Sequence, residues 1–255
     1  MSRPEHVHVD RAEQLADAAS VAAGTRDRQA LFFEGPAEIG KTSLLLEIHR
    51  RHVPAGVYLV DLERVVEKTD ILSELARQAR RQDVPVDGYQ TVRARFAQAG
   101  SLSVNDMRAR NSSINMVVNV FKDRKLQLEA MSDALLDTLT GPSRRPVICL
   151  DGFEHCEAPM REWLGTHLLP DLLSRRGISV FVAGRHVPRL AQPHASVVRT
   201  MALPPFDVDT VEEWITTLGF DSLKGQGTKI HTNHGGVPGL LREFFDLHVE
   251  PSGTR

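Results

Sequence analysis

The stretch GPAEIGKTSLLLEIH, residues 35–49, limits the possible folds more than any other part of the chain. Gly35 and Gly40 stand five residues apart and are followed by Lys41 and Thr42, which fits the pattern G-x-x-x-x-G-K-[ST]. The glycines let the backbone wrap around an anion with its N–H groups pointing inward, and a helix amino terminus adds partial positive charge. An apolar run before the pattern and a helical pattern after it predict a phosphate-binding turn between a strand and a helix.

Every position of this turn is a predicted nucleotide contact. Lys41 is expected to reach the β and γ phosphates, and the Thr42 hydroxyl is expected to bind Mg²⁺. Ser43, at the start of the helix, is placed to contact the α phosphate. The predicted set is Gly35, Pro36, Ala37, Glu38, Ile39, Gly40, Lys41, Thr42 and Ser43.

A second part of the predicted site follows the apolar residues 147–150 in VICLDGFEH. A magnesium and phosphate site needs a carboxylate at the carboxyl end of a neighbouring strand, and Asp151 takes that position. Glu154, three residues later, is predicted to orient or deprotonate an attacking water molecule. The alternative for Glu154 is a solvated acid that caps a helix beginning near Glu157.

Arg185 ends the next apolar run, in ISVFVAGRHVP. At the carboxyl tip of the strand after Asp151, its guanidinium is expected near the γ phosphate, where it would sense that group. A structural salt bridge is the competing interpretation. The predicted catalytic residues are Lys41, Asp151, Glu154 and Arg185, and the predicted metal ligands are Thr42 and Asp151.

Short apolar runs alternate with helical patterns as far as residue 203. Continuous apolar strands of this kind are typical of a parallel sheet that is covered on both faces, and their alternation with helices favours an α/β layer architecture. We therefore predict an α/β three-layer sandwich with a mainly parallel sheet. The predicted strands are 30–34, 56–62, 146–151, 178–184 and 196–203, and the predicted helices are 42–51, 71–81, 125–139 and 160–173.

The character of the sequence changes after residue 203, because FDVDTVEEWITTLG and VPGLLREFFDLH both read as helices and no further strand pattern follows. Asp207 or Asp209 is expected to cap the first of these helices, and Gly219 is expected to end it. The predicted units are a nucleotide-binding domain over 1–204, a helical lid over 205–249 and a tail over 250–255.

Residues 84–122 fit the alternation poorly and are interpreted as an insertion between the second and third core strands. They combine a short helical stretch, a polar loop and an apolar run, 114–121, which fits either a strand or a buried helix segment. No role is predicted for this insertion.

The composition argues against several classes of protein. The chain has 31 basic and 33 acidic residues, a net charge of -2, which provides no global field for nucleic acid or an anionic membrane and leaves room only for a local basic patch. No stretch approaches the roughly 20 apolar residues of a membrane span, and the amino terminus lacks the apolar segment of a signal peptide, so a soluble cytoplasmic protein without a membrane partner is expected. Cys149 and Cys156 lack CxxC spacing, which argues against a disulfide framework or a zinc cluster.

These motifs, in this order, resemble the STAND class of P-loop NTPases, the signal-transduction ATPases with numerous domains, which include NACHT and NB-ARC branches and are related to AAA+ proteins. The segment VHVDRAEQLADA looks like the motif that lies over the adenine in this family, so the resemblance implies adenine contacts from Val9 and Arg11. DGFE resembles the Walker B form of the NACHT branch, with His155 in place of a further acid, which bears on the hydrolysis rate rather than on nucleotide binding.

The carboxy-terminal motifs extend the resemblance. AGRHVP is similar to the family's first sensor, with Arg185, and LPPFDVDTVEEWI is similar to the stretch that leads into its helical lid. Gly236-Val237-Pro238 matches a Gly-x-Pro motif whose proline the family places against the base or ribose, which implies a nucleotide contact from Pro238. A proline that merely starts a helix explains this triplet equally well.

The resemblance implies a P-loop NTPase fold, ATP or ADP and Mg²⁺ as cofactors, and a slowly hydrolysing switch. In such proteins the ADP form is closed, exchange for ATP opens it, and the open form oligomerises to signal through attached domains. The expected partners are therefore nucleotide, separate or fused effector and sensor proteins, and further copies of the chain in the ATP state. Adenine is the default base because the guanine-reading Asn-Lys-x-Asp pattern does not occur.

Two other functions use the same phosphate turn. A nucleic-acid-associated AAA+ ATPase, such as a loader or a transposition helper, would use the arginines of RARFAQAG, NDMRARN and HRRH, although the near-neutral balance argues against a large footprint. A small-molecule kinase would need an acceptor pocket and usually arginine-rich lid elements. DNA-stimulated hydrolysis would indicate the first, and phosphate transfer to an added acceptor the second.

Overall fold

The computed structural model describes residues 11–25, 27–52, 56–101, 124–141 and 145–248. Val9 and the apolar run 114–121 lie outside the described residues. The strands are β1 (Ala30–Glu34), β2 (Val57–Asp61), β3 (Val147–Asp151), β4 (Ser179–Gly184) and β5 (Val198–Ala202). The α-helices are α1 (Ala12–Ala22), α2 (Lys41–His52), α3 (Lys68–Arg81), α4 (Asp87–Ser101), α5 (Arg124–Leu139), α6 (Ala158–Trp163), α7 (Leu169–Ser174), α8 (Val208–Leu218), α9 (Gly227–His234) and α10 (Pro238–His248).

The five strands form one parallel sheet in the order β2-β3-β4-β1-β5. This confirms the predicted sheet, and each predicted strand contains one observed strand. The carboxyl ends of parallel strands meet at one edge, which brings the tips of β1, β3 and β4 together. One expectation is wrong in detail: the strand of Asp151 does not adjoin the strand that precedes the phosphate turn, because β4 lies between them.

Both faces of the sheet are covered, which explains the continuous apolar runs. Successive side chains of a strand point to opposite faces, and in β1 Phe32 packs in one hydrophobic cluster while Leu31 and Phe33 pack in the other. The first cluster includes side chains of α3, α5 and the α6–α7 region, and the second includes side chains of α1 and α2. Helices on both faces of a parallel sheet make the predicted three-layer sandwich.

The first part of the predicted insertion belongs to a helical layer. Val84, Val86 and Tyr89 are buried in the same cluster as β2 and α3, and α4 packs against α5. Residues 102–122, the remainder of the predicted insertion, lie outside the described ranges. The predicted domain boundaries stay a prediction.

The predicted helix at 160–173 is continuous over 158–174 but contains a π-helical segment, Leu164–Leu168, between α6 and α7. Pro170 lies just beyond this segment. Proline has no N–H to donate and its ring clashes with the carbonyl four residues earlier, at Thr166. Widening the helix by one residue per turn relieves that clash, which accounts for the π geometry.

The helices after β5 enclose a core of their own. Trp214 lies between the rings of Phe206 and Phe245 in two edge-to-face contacts with centroid distances of 5.7 and 5.3 Å. Asp207 accepts a hydrogen bond from the amide of Thr210 at 2.8 Å and so caps α8. Gly219 ends this helix in the left-handed region, with φ of 76°.

Cys149 and Cys156 are both buried free thiols. Among the helices of the described ranges, none combines the length and apolar character of a membrane-spanning segment.

Replacing Asp207 by alanine is expected to lower the urea midpoint of unfolding, because the Thr210 amide loses its acceptor and the helix loses an anion at its positive end. Asp209→Ala is the matched control, since it removes the same charge from the same turn without removing the cap. Equal shifts in the two variants, measured by circular dichroism, would contradict the assignment of Asp207 as the capping residue.

Candidate nucleotide-binding site

The predicted phosphate turn, residues 35–40, leaves the carboxyl end of β1 and enters α2 at Lys41. Gly40 has φ of 92° and Glu38 has φ of 63°, so the turn uses left-handed backbone at two of its positions. Only glycine adopts that region without cost, which explains Gly40. Glu38 is a non-glycine residue there, and its carbonyl accepts a hydrogen bond from the amide of Gly239 at 2.9 Å.

The turn presents a continuous series of amide donors. Within the described part of the chain, the amides of residues 37–43 make no backbone hydrogen bond, and the first one of the helix runs from Leu44 to the carbonyl of Gly40 at 3.0 Å. No acidic residue occupies the first turn of α2, so nothing there competes with an anion. Unpaired donors at a helix amino terminus fit the phosphates of a nucleotide.

Lys41 lies inside the turn. It is 8% exposed, and its Nζ donates to the carbonyls of Gly35 at 2.8 Å and of Pro36 at 2.7 Å. Burial lowers the pKa of Lys41, the charges of Glu154 and Asp151 oppose this effect, and Arg185 adds to it. The ammonium is thus already surrounded by the groups predicted to share the site with it.

Thr42 and Asp151 meet at the predicted metal position. The Thr42 hydroxyl hydrogen-bonds to the Asp151 carboxylate, and Asp151 Oδ1 accepts from the amide of Gly152 at 2.9 Å. Burial raises the pKa of Asp151 above its ordinary value. The bonds from Thr42 and Gly152 lower it, while the charges of Asp61 and Glu154 raise it further. A hydroxyl oxygen and a carboxylate are suitable ligands for Mg²⁺, whose remaining positions water and phosphate oxygens usually fill.

Glu154 is neither a solvated acid nor a helix cap. Its side chain is 16% exposed, and the amino-terminal cap position of α6 belongs to Glu157. Its Oε2 is buried and has no hydrogen-bond partner among the described residues, while Oε1 lies 3.8 Å from Nε of Arg185. A buried carboxylate oxygen without a donor is costly unless a further group binds it, and a water molecule is the simplest such group.

Arg185 stands at the tip of β4, between the tips of β1 and β3. Its side chain is 56% exposed, and its ion pair with Glu154 is long, at 3.8 Å. The salt bridge to Glu154 is therefore present but leaves more than half of the side chain exposed, and the charge of Arg185 reaches Lys41, whose pKa it lowers. Gly184 precedes it in a tight turn, where a Cβ would lie 2.5 Å from the carbonyl oxygen of His186.

The STAND resemblance adds Pro238 and Arg11 to the site, and the two residues make different contacts. Pro238 lies against the phosphate turn, since a Cβ on Gly40 would come within 3.8 Å of its ring. Arg11 is buried and donates to the backbone carbonyls of Ile39 and Pro204. The contacts of Arg11 and Pro238 with a nucleotide stay predictions.

Two acids at this edge were missed by the sequence reasoning. Asp61 ends β2 directly opposite Asp151 in the sheet register, and Glu34 ends β1 and pairs with His186 at 3.5 Å. Both follow the signal that identified Asp151, an acid at the end of an apolar run, in GVYLVD and ALFFE. In the described ranges, no three His, Cys, Asp or Glu side chains form a cluster able to hold a metal ion without further ligands.

Asp151→Asn is expected to stabilise the free protein at neutral pH, because burial and the neighbouring acids disfavour the carboxylate. A raised pKa in the folded state means that folding is favoured below the pKa of an unfolded aspartate, and that this advantage is lost as the pH rises through the folded value. The melting temperature without Mg²⁺ should therefore rise at pH 7, and the gain should shrink toward about pH 4. Asp246→Asn, an exposed acid on α10, is the control. A lower melting temperature for Asp151→Asn than for the parent would contradict the unfavourable charge.

Comparisons with known proteins agree with this geometry. The sequence profile of a family described as an AAA domain matches residues 25–190. A Signal Transduction ATPase with Numerous Domains from Pyrococcus horikoshii, which carries a tetratricopeptide repeat sensor, superimposes with a TM-score of 0.56 at 16% identity, over 91% of this chain and 29% of that one. Cdc6p from Pyrobaculum aerophilum gives a TM-score of 0.50 at 14% identity, over 84% of this chain and 51% of that one.

At such identities the two structures establish a common fold and nothing further. This chain spans about half of one matched protein and less than a third of the other. No functionally curated relative matches the sequence. The family match extends from just before β1 to just after β4 and so includes the phosphate turn, Asp151, Glu154 and Arg185. The chain belongs to the AAA domain family, with the nucleotide-binding fold of the P-loop ATPases.

Proposed function

We propose that this chain is a Mg-ATP-binding, slowly hydrolysing switch module of the STAND type, which couples nucleotide state to conformation or assembly in signalling or defence. One observation carries the proposal. The amides of residues 37–43 lack backbone acceptors in the described structure, and two groups contact the phosphate turn. The buried Lys41 donates to the carbonyl of Gly35, and the amide of Gly239, in the lid, donates to the carbonyl of Glu38. A ligand bound in the turn would therefore act on a loop that the lid already touches.

The residues present fit a Mg-nucleotide. The amides of residues 37–43 and the Lys41 ammonium are donors for the phosphate chain, and Thr42 and Asp151 supply oxygens for Mg²⁺. When bound, the metal neutralises charge on the phosphates and lowers the repulsion among the acids of the site. Lys41 would exchange its bonds to Gly35 and Pro36 for bonds to phosphate oxygens, which keeps a buried ammonium paired throughout.

The hydrolytic residues favour slow turnover. Glu154 has one buried oxygen free to hold a water molecule, but its other oxygen faces Arg185. Only one oxygen of this carboxylate is therefore open to a water molecule. Arg185 itself is mostly exposed, so its approach to a γ phosphate requires the ordering of a mobile type of side chain.

The position of the lid favours a switch over a constitutive ATPase. The first turn of α10 contacts the phosphate turn at Glu38 and Gly40, while the remaining lid core is separate from the sheet clusters. Two bodies joined by a small contact at the ligand site can change their relative angle when the ligand changes. Exchange between ADP and ATP would bias that angle, as in other nucleotide-driven switches.

Lys41→Ala is expected to weaken the binding of Mg-ATP by at least about tenfold, because a charge-assisted contact to the phosphates is lost. Glu154→Gln should bind Mg-ATP nearly as well as the parent and hydrolyse it at least about a hundredfold more slowly, because the amide cannot accept a proton from water. Isothermal calorimetry measures the first quantity and phosphate release the second.

Arg161→Ala, an exposed change on α6, serves as the control for both measurements. Unchanged affinity in Lys41→Ala would overturn the phosphate site. Unchanged hydrolysis in Glu154→Gln would remove the assigned role of that acid but leave the binding site intact.

A second candidate function, a nucleic-acid-associated AAA+ ATPase, is favoured by the distribution of charge. Residues 77–125 carry ten basic and four acidic residues, a net charge of +6, whereas the rest of the chain carries 21 basic and 29 acidic residues. Several arginines of this segment are exposed and lie in no ion pair with another described residue: Arg80, Arg81, Arg93, Arg95 and Arg124. Phosphate backbones bind such exposed arginines with a strong salt dependence.

The double variant Arg93→Ala/Arg95→Ala separates the two functions. If the second function holds, DNA should stimulate hydrolysis by the parent, and the double variant should reduce both the stimulation and the salt slope of binding, measured by fluorescence anisotropy. Arg161→Ala/Arg242→Ala removes the same charge elsewhere and should change neither. If DNA does not bind the parent at low salt, the switch function remains alone.

A further inference from the structure

Arg11 joins three segments that are far apart in the sequence. The side chain is 4% exposed, and Nη2 donates to the carbonyl of Ile39 at 3.1 Å and to the carbonyl of Pro204 at 2.8 Å. Its guanidinium carbon lies 4.9 Å from the centroid of the Phe206 ring. Ile39 belongs to the phosphate turn, while Pro204 and Phe206 belong to the segment that leads from β5 into the lid.

The backbone of Arg11 supports a specific role for this contact. Its φ of 140° lies in a region that residues with a Cβ rarely adopt. A residue keeps such a conformation only where its surroundings over-determine it. Here the surroundings are the two carbonyls and the aromatic ring that hold the guanidinium just before α1 begins.

The lid makes a second contact with the same turn. The amide of Gly239 donates to the carbonyl of Glu38 at 2.9 Å, and a Cβ on Gly239 would lie 2.5 Å from the Cβ of Glu38. Arg11 holds the next carbonyl along the chain, that of Ile39. Two consecutive carbonyls of the phosphate turn are therefore held from outside, one by the lid and one by an arginine that also contacts the lid connection.

Peptide geometry links these outward carbonyls to the inward donors. A peptide group is planar, and in the trans form its C=O and N–H point in opposite directions. The carbonyl of Glu38 shares a plane with the amide of Ile39, and the carbonyl of Ile39 shares a plane with the amide of Gly40. When Gly239 and Arg11 hold these carbonyls, the same planes turn the amides of Ile39 and Gly40 away from them, toward the side where a phosphate would bind.

We propose that Arg11 is a positioning residue that couples the orientation of the phosphate turn to the lid. By holding the Ile39 carbonyl it keeps the Gly40 amide available to phosphate, and through Pro204 and Phe206 it transmits a change in the turn to the lid helices. This inference rests on the proposed function. It differs from an adenine contact, the role that the STAND resemblance implies for Arg11, because it requires no base in the ligand.

Inorganic tripolyphosphate tests this difference, since it engages the turn and carries no base. In the full chain with Mg²⁺, Arg11→Lys keeps the charge but cannot make the planar contacts of a guanidinium. Its affinities for tripolyphosphate and for ATP, measured by calorimetry, should fall by a similar factor of roughly ten or more. Arg242→Lys, on the exposed side of the lid, should retain both parental affinities. A loss confined to ATP would overturn the inference in favour of an adenine contact.

The coupling has its own readout in the hydrogen exchange of residues 206–245 within the lid. Saturating tripolyphosphate should slow exchange there in the parent and in Arg242→Lys, and should leave it unchanged in Arg11→Lys. Equal protection of the lid in Arg11→Lys and in the parent would overturn the coupling even if the affinities fall. If the parent binds neither ligand, the proposed function fails and this inference fails with it.

Phe206→Leu keeps the inference testable if Arg11→Lys does not fold. This change removes the ring beside the guanidinium and leaves the bond from Arg11 to Ile39 in place. Tripolyphosphate affinity should stay close to that of the parent, while its effect on lid exchange should decrease. Full retention of the lid effect in Phe206→Leu would contradict transmission through this contact.

Discussion

The amides of residues 37–43, which find no backbone acceptor in the described structure, are the constraint around which the remainder is arranged. Unpaired donors are unfavourable where water is excluded, and a chain keeps a row of them only if the surroundings fix the backbone that carries them. Four parts of the structure do so here. The buried strand β1 fixes the beginning of the turn, α2 fixes its end, and Gly239 of α10 and Arg11 hold its outer carbonyls. The donors belong to the turn, but their orientation depends on the whole fold.

The acids of the site add a second constraint, which acts against stability. Asp61, Asp151 and Glu154 meet at neighbouring strand tips, and burial together with mutual repulsion makes the Asp151 carboxylate unfavourable in the absence of a cation. Lys41 lies among them, and burial lowers the pKa of its ammonium while the charges of Glu154 and Asp151 oppose that effect. Such an arrangement gains most from a ligand that brings both a metal and phosphates.

The sheet and the phosphate turn could be predicted from sequence because their signals are local. Strands buried on both faces read as continuous apolar runs, and the spacing of Gly35, Gly40 and Lys41 is dictated by a single turn. The strand order could not be predicted in this way, since nothing in a run of apolar residues states which strand lies beside it, and β4 consequently separates β1 from β3. The hydrogen bonds of Arg11 could not be predicted for the same reason, because Ile39 and Pro204 lie 28 and 193 positions away from it in the sequence. Asp61 was missed although its signal was present, because only one acid was sought for the metal.

The order of the strands also has a consequence for folding during synthesis on the ribosome. Ala30, in β1, pairs with Val180 in β4 and with Val198 in β5 and has no earlier neighbour in the sheet. The ribosome therefore synthesises β1 and the phosphate turn well before β4 and β5, the strands that pair with β1. At ordinary rates of translation this delay is on the order of ten seconds. During that interval the apolar strand has nothing to pair with and the turn has no fixed frame. The phosphate turn thus acquires its fixed frame only after β4 and β5 have been synthesised, and until then the apolar β1 has no neighbouring strand to cover it.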